Sequence, residues 1–293
     1  PAPNGLIDLW GQQWFVDGGQ RLGRTFTAFK ERWFDENQYA RTITPKPHAK
    51  DEISELMADC TISLEAADWL DLPETIENVI TVTLPPQARA LYDRMERDLL
   101  AEIDGRDDPV LAANAAAKSM KCLQIASGAL YTNESHEATE WKVLHDAKIE
   151  ALREVVEGQG GAPLLVVYHF KSDRERILKA FNDAREVLTT QDEDDWNAER
   201  IPIGVVNAQA AGHGLNLQDG GHAICFFSTW WSLEAHQQVI ERIGAARQAQ
   251  SGHNRSPVVH YIVAEDTVDE AVLERIQGKV SVQEALRQRA RVR

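Results

Sequence analysis

The sequence predicts an α/β fold, a mostly parallel sheet preceded by a mainly helical segment, and three observations carry that prediction. PLLVVYHF (163–170) is a continuous apolar run, the pattern of a parallel strand buried on both faces. After about residue 160, short apolar runs at Ile201–Val206, His222–Phe227 and Pro257–Val263 alternate with helical patterns, among them 233–243 and 268–278. Residues 1 to about 150 read differently, as helices joined by irregular segments with one extended stretch, ENVITVTL (77–84).

That stretch places β-branched residues at alternating positions and stops at Pro85-Pro86, which cannot donate to a strand ladder. From Gln87 to Ile103, Ala90, Leu91, Met95 and Leu99 recur at helical spacing and predict an amphipathic helix. Further helices are expected over 110–128 and 146–157. Ser172 offers an N-cap for a helix Asp173–Phe181, and Thr267-Val-Asp-Glu270 reads as a capping box opening the last helix. The acidic run Gln191–Asp195 reads as a solvated turn. No internal repeat or low-complexity segment interrupts the pattern.

At 293 residues, 43% hydrophobic and 26% charged, the chain can bury one large core or two modest ones. No stretch approaches the roughly 18 apolar residues of a membrane span, and no basic-then-apolar leader is present. A cytoplasmic location is therefore expected. The start at Pro1, without methionine, suggests a piece of a longer protein. Cys60, Cys122 and Cys225 form no Cys-x-x-Cys pair and no zinc spacing with histidine, so they are expected to be reduced and buried, with no metal site. A net charge of −15 argues against a surface that binds nucleic acid everywhere, but leaves room for a local basic groove. The tail bearing Arg287, Arg289, Arg291 and Arg293 reads as a solvated helix end.

Ligands of parallel sheets bind at loops leaving the carboxyl ends of strands, and three such loops are unusual. AQAAGHGLNL (208–217) carries Gly212 and Gly214, which let a backbone or phosphate approach closely; a tight packed turn accounts for the pair equally well. His213 between them reads as a functional contact or a turn residue, and Asn216 as a residue that fixes the loop by bonding backbone. STWWSLE (228–234) sets Trp230 beside Trp231, where one could stack on a base or both could pack against a neighbouring domain. QQVIERIGAARQAQ (237–250) combines Gln237, Gln238, Arg242, Arg247 and Gln250. Arginine meets a phosphate with paired hydrogen bonds and keeps its charge, which suits phosphoryl transfer; alone, this segment also reads as a surface helix. His169 and His222 read as core or sheet-end histidines.

Taken in order, these segments resemble the Swi/Snf group of superfamily 2 helicases and translocases, especially the compact versions in phage genomes. PAPNGLIDLW (1–10), with Asn4 and Leu9-Trp10, is similar to the end of the family's Thr-Gly-Thr-Pro motif. FTAFKERWF (26–34), LPETIENVITVTLPPQARALY (72–92), CLQIASGALY (122–131) and HDAKIEALREVV (145–156) resemble the segments that follow. Residues 163–170, GHGLNL (212–217), QQVIERIGAARQAQ and YIVAEDTVDEAVLERIQGK (261–279) resemble the fourth, fifth and sixth motifs and the closing strand and helix.

The resemblance implies a motor of two RecA-like lobes with ATP and Mg²⁺ between them, gripping DNA, in the host cytoplasm if phage-encoded. The first lobe would supply the phosphate loop and an Asp-Glu metal site, the second the arginine fingers. No Gly-x-x-x-x-Gly-Lys-Ser/Thr occurs in the sequence. Residues 1–70 would then trail a first lobe lying outside the chain, and 71–293 would form the second lobe with a helical insertion over about 86–140. Arg242 and Arg247 would be catalytic. Gln238, Gly212, Gly214, Asn216 and Gln250 would lie on the nucleotide side, and His213, Trp230 and Trp231 toward double-stranded DNA.

Two departures matter. The family's two sixth-motif arginines are three residues apart; here they are five apart with Gly244 between, implying that the helix ends near Gly244 and Arg247 projects from a loop. Basic residues are also missing from MADCTISLEAADW (57–69). The rival reading is a helicase-derived lobe kept for nucleic-acid binding or protein docking. A weaker one is an unrelated nucleotide-binding enzyme.

Overall fold

The computed structural model describes residues 6–37, 42–61, 72–104, 109–132, 140–211 and 215–277. The chain divides into two compact units, Pro1–Trp69 with Gly105–Ala112, and Leu70–Asp104 with Ala113–Arg293.

The smaller unit holds the helices Leu9–Asp17, Phe26–Trp33 and Ala49–Met57 and an antiparallel hairpin of β1 (Phe34–Asn37) and β2 (Thr42–Pro45). Thr25 caps the second helix by accepting from the Ala28 amide. Its aromatic run then turns Phe29 and Trp33 inward, with ring centroids 5.3 Å apart, onto Leu22, Phe34 and Ile53.

The larger unit is built on six parallel strands: β3 (Ile76–Val82), β6 (Leu164–Tyr168), β7 (Ala184–Glu186), β8 (Ile203–Asn207), β9 (Ala223–Phe226) and β10 (Val258–Ala264). Their order is β3-β10-β9-β6-β8-β7. A small hairpin of β4 (Ala129–Tyr131) and β5 (Trp141–Val143) stands apart from the sheet. β6 is buried at every residue, as its unbroken apolar run requires, whereas β3 at the edge keeps most of its residues in water.

The structure corrects four expectations. The acidic run is a helix, Thr190–Asn197, because Thr189 and Asp192 form a reciprocal capping box. Its carboxylates Asp192 and Asp195 hold Arg185 and Arg200 on the wet side, while Trp196 is fully buried on the other. Ser172 is not an N-cap: the helix is Lys171–Ala180, the cap position is Phe170, and Asp173 accepts from the Phe170 amide at 3.2 Å. Cys122 and Cys225 are buried, but Cys60 is exposed, following the helix Ala49–Met57 where no core closes over it; all three are free. In the last helix Thr267 does cap, through the Asp269 amide, while Glu270 reaches back to the amide of Asp266 instead of Thr267. The arginine tail and most of 57–69 lie outside the described residues.

One ion pair lies inside the larger unit. Lys148, on the helix Ala147–Gly158, meets Asp269 at 2.5 Å with both side chains out of water, and Asp269 also accepts from the Ala264 amide. Such a pair offsets its own desolvation only while both members remain. Lys148→Met is therefore expected to lower the unfolding free energy by about 3–5 kcal/mol, because it strands a buried carboxylate; urea unfolding measures it.

Candidate functional site

The strand order fixes where a crevice opens. The chain leaves β6 toward β8 and β7, and leaves β9 toward β10, so the carboxyl ends of these neighbours flank a switch point. From the turn after β6 comes His169 and from the loop after β9 come Ser228, Thr229, Trp230 and Trp231. The His169 ring stacks on Trp230 at 4.2 Å with planes 7° apart. Ser228 accepts from the His169 amide at 2.8 Å and donates to Asp173 at 2.7 Å, while Ser127 donates to the other carboxylate oxygen. A pocket of about 20 Å³, room for about one water, is lined here by His169, Gln209, Ser228, Thr229, Trp230 and His236.

His236 is buried on the helix Leu233–Ile243, with Nε2 2.9 Å from the Tyr261 hydroxyl and its ring against Phe226. The Nδ1 atoms of His169 and His236 have no hydrogen-bond partner among the described residues. Burial pushes both imidazoles down to about 4, so both are neutral at neutral pH. Trp231 is half-buried and packs against the core beside Trp230.

The arginine segment departs from its expected shape. Ser232 caps the helix Leu233–Ile243 by accepting from Ala235, and the helix ends where Gly244 adopts an extended conformation (φ −65°, ψ 166°). Gly244 then serves as N-cap of a second helix, Ala245–Gln250. The break expected near Gly244 is there, but Arg247 stands inside a new helical turn and not on a loop. The reason is that Ala245 and Ala246, strong helix formers, restart the helix at once. Arg242 lies in the last turn of the first helix, and both arginines are part-exposed. Arg247 makes no ion pair with a described residue. Gln238 is exposed and donates to Glu234 at 3.0 Å; Gln237 and Gln250 are also exposed.

Gly212, His213 and Gly214 lie outside the described residues. Just after them, two side chains of the acidic helix hold the backbone of Asn216: its amide donates to Glu193 at 3.1 Å and its carbonyl accepts from Asn197 at 2.8 Å. Trp196 donates from Nε1 to the Leu217 carbonyl at 2.8 Å. A Cβ on Gly220 would stand 2.2 Å from the Trp196 carbonyl oxygen, so only glycine lets this loop seat so closely. Trp196, Asn197, Gln248 and Arg255, which organise this region, were not singled out from sequence. The one available signal was a lone tryptophan inside an acidic stretch.

No family model matches the chain. It is 50% identical over 292 residues to "Putative protein p41" of Acyrthosiphon pisum secondary endosymbiont phage 1, covering 98% of this chain and 62% of that protein. It is 27% identical over 95 residues to "Putative helicase 172L" of Invertebrate iridescent virus 6, covering 32% of this chain and 14% of that one. The chain thus spans about three-fifths of the phage relative and about a seventh of the viral one. Among solved structures, the C-terminal part of the Fun30 ATPase domain superposes with a TM-score of 0.53 at 14% identity, covering 74% of this chain and 98% of that one. The Sulfolobus solfataricus SWI2/SNF2 ATPase core in complex with double-stranded DNA gives 0.52 at 19%, covering 95% of this chain and 59% of that one. The fold is therefore the RecA-like architecture of Swi2/Snf2 ATPase domains, as the ordered motifs implied, on their C-terminal side.

The two depressed histidines set a pH dependence. A histidine held neutral by the fold takes up a proton more readily when unfolded, so its contribution is complete above about pH 6.5 and is lost as pH falls toward 4. His169→Gln or His236→Gln should each flatten the stability curve in that window by up to about 1.4 kcal/mol per pH unit relative to the parent. Urea unfolding at stepped pH tests this; parallel curves for parent and variant exclude it.

Proposed function

We propose that this chain, whose fold is that of Swi2/Snf2 ATPase domains, is the C-terminal half of an ATP-dependent DNA translocase or helicase. The observation behind the reading is the pair of part-exposed arginines, Arg242 ending one helix and Arg247 in the next, on a lobe of this architecture. In this reading residues 1–70 trail the first lobe and 71–293 form the second. ATP with Mg²⁺, when bound, supplies the phosphoryl group and the divalent charge. Arg242 and Arg247 neutralise the charge that spreads over the transferring phosphate's oxygens. Gln238 and Gln250 hydrogen-bond on the nucleotide side, and Gly212, Gly214 and Asn216 bring backbone close to it. His213, Trp230 and Trp231 face double-stranded DNA, with Trp230 held rigid by its stack on His169.

Among the described residues no group of three or more His, Cys, Asp or Glu could hold a metal ion. In this reading the magnesium ligands belong to the first lobe, and the chain alone is expected not to hydrolyse ATP. If the chain is phage-encoded, this reading puts it in the host cytoplasm. No described helix is long and apolar enough to cross a membrane.

The second reading is a helicase-derived lobe that binds nucleic acid or docks a protein without hydrolysis. The five-residue arginine spacing and the net charge of −15 favour it. One experiment separates the two: ATP hydrolysis, with and without double-stranded DNA, by the protein extended to include its first lobe. The motor reading expects DNA-stimulated turnover that Arg242→Ala or Arg247→Ala lowers about 10³-fold while ATP still binds. Absence of stimulated turnover in the parent supports the docking module.

A further inference from the structure

We propose that Gln248 is the positioning residue for Arg247, an inference that rests on Arg247 being the phosphate-facing group described above. The helix Ala245–Gln250 has six residues, and Gln248 is its one buried member, with no exposed surface. A helix that short cannot hold itself in water, and this one has no buried apolar side chain to pin it, so its place depends on what Gln248 grips.

The grip is complete. The Gln248 amide group donates from Nε2 to the carbonyls of Gln218 and Gly221, each at 2.9 Å, and more weakly to Ile243 at 3.3 Å. Its Oε1 accepts from Arg255 Nε at 2.9 Å, and Arg255 Nη2 reaches the Gln218 and Asp219 carbonyls at 3.0 and 3.3 Å. The main chain adds the His253 amide onto the Gln248 carbonyl at 2.8 Å, while His253 Nε2 lies 2.9 Å from Asp219. The short helix is thus bolted to the turn Gln218–Gly221, which is seated on Trp196 immediately after the glycine loop. Consecutive helical side chains point about 100° apart, so an inward Gln248 sets the direction in which Arg247 leaves the helix. This arrangement also explains how an arginine two residues further along than the family's spacing is held in a fixed place.

The test uses Gln248→Met, which keeps the length and volume and deletes every side-chain hydrogen bond. In the 293-residue chain, hydrogen exchange at the amides of Gln248, Ser251 and His253 should quicken by about ten-fold or more while the sheet strands keep their protection. Unchanged exchange there, or a uniform loss across the chain, overturns the proposal. In the protein extended to include its first lobe, the same substitution should lower kcat about ten-fold with KM for ATP changed less than about two-fold. Added to Arg247→Ala it should cause no further fall, and a multiplied loss in the double variant means that Gln248 does not act through Arg247. A parent that hydrolyses no ATP sinks the motor reading alone, and the exchange experiment still decides whether Gln248 holds the segment.

Discussion

A carboxylate shut away from water holds the carboxyl edge of the central strands together. Asp173 accepts from the hydroxyls of Ser127 and Ser228 and from the amide of Phe170, three groups from three separate stretches of chain. Burial raises its pKa, against the pull of those hydrogen bonds and of Arg176 and Lys148 nearby. Arg176 completes the joint by donating to the carbonyls of Ser127 and His145, each at 2.7 Å. Gly128 leaves the space: a Cβ there would lie 2.4 Å from the His145 oxygen, at a φ of +104°. The loop that carries Trp230 and the turn that carries His169 are therefore set by directional polar bonds added to the apolar packing of Trp230 and Trp231, which fixes a single geometry.

The same physics explains what could be read in advance. β6, β8, β9 and β10 were legible because strands buried on both faces must be apolar throughout. β7, three residues reading Ala-Arg-Glu at the sheet's edge, has no such constraint and left no mark. The acidic helix was misread because its whole buried contribution is one indole. In the candidate site, arginines and tryptophans drew notice by residue type. Asp173, Asn197 and Gln248 did not, since each acts through bonds to groups some 20 to 55 positions away, and no local pattern encodes a partner at that distance.

Charge follows a similar division. Arg174, Arg185 and Arg200 are engaged with carboxylates at the surface, Lys148 with one inside, and the buried Arg176 with the exposed carboxylate of Asp146. These basic residues serve the fold. In a chain of net charge −15, the phosphate recognition proposed above would rest on a few placed guanidinium groups and not on a general positive field.

The seat of the turn after the glycine loop also governs how the sequence can drift. A Cβ on Gly204 would come within 2.8 Å of the Trp196 ring, one on Gly220 within 2.2 Å of its carbonyl, and one on Gly221 within 3.1 Å of the ring. Positions 196, 204 and 221 are consequently one unit of variation. A lineage that keeps the indole is confined to the three glycines. One that trades it for a smaller side chain releases Gly204 and Gly221 from the ring, but leaves Gly220 still crowded by backbone. Co-varying substitutions at 196, 204 and 221, with 220 held as glycine, are thus the imprint this contact leaves on descendants of the chain.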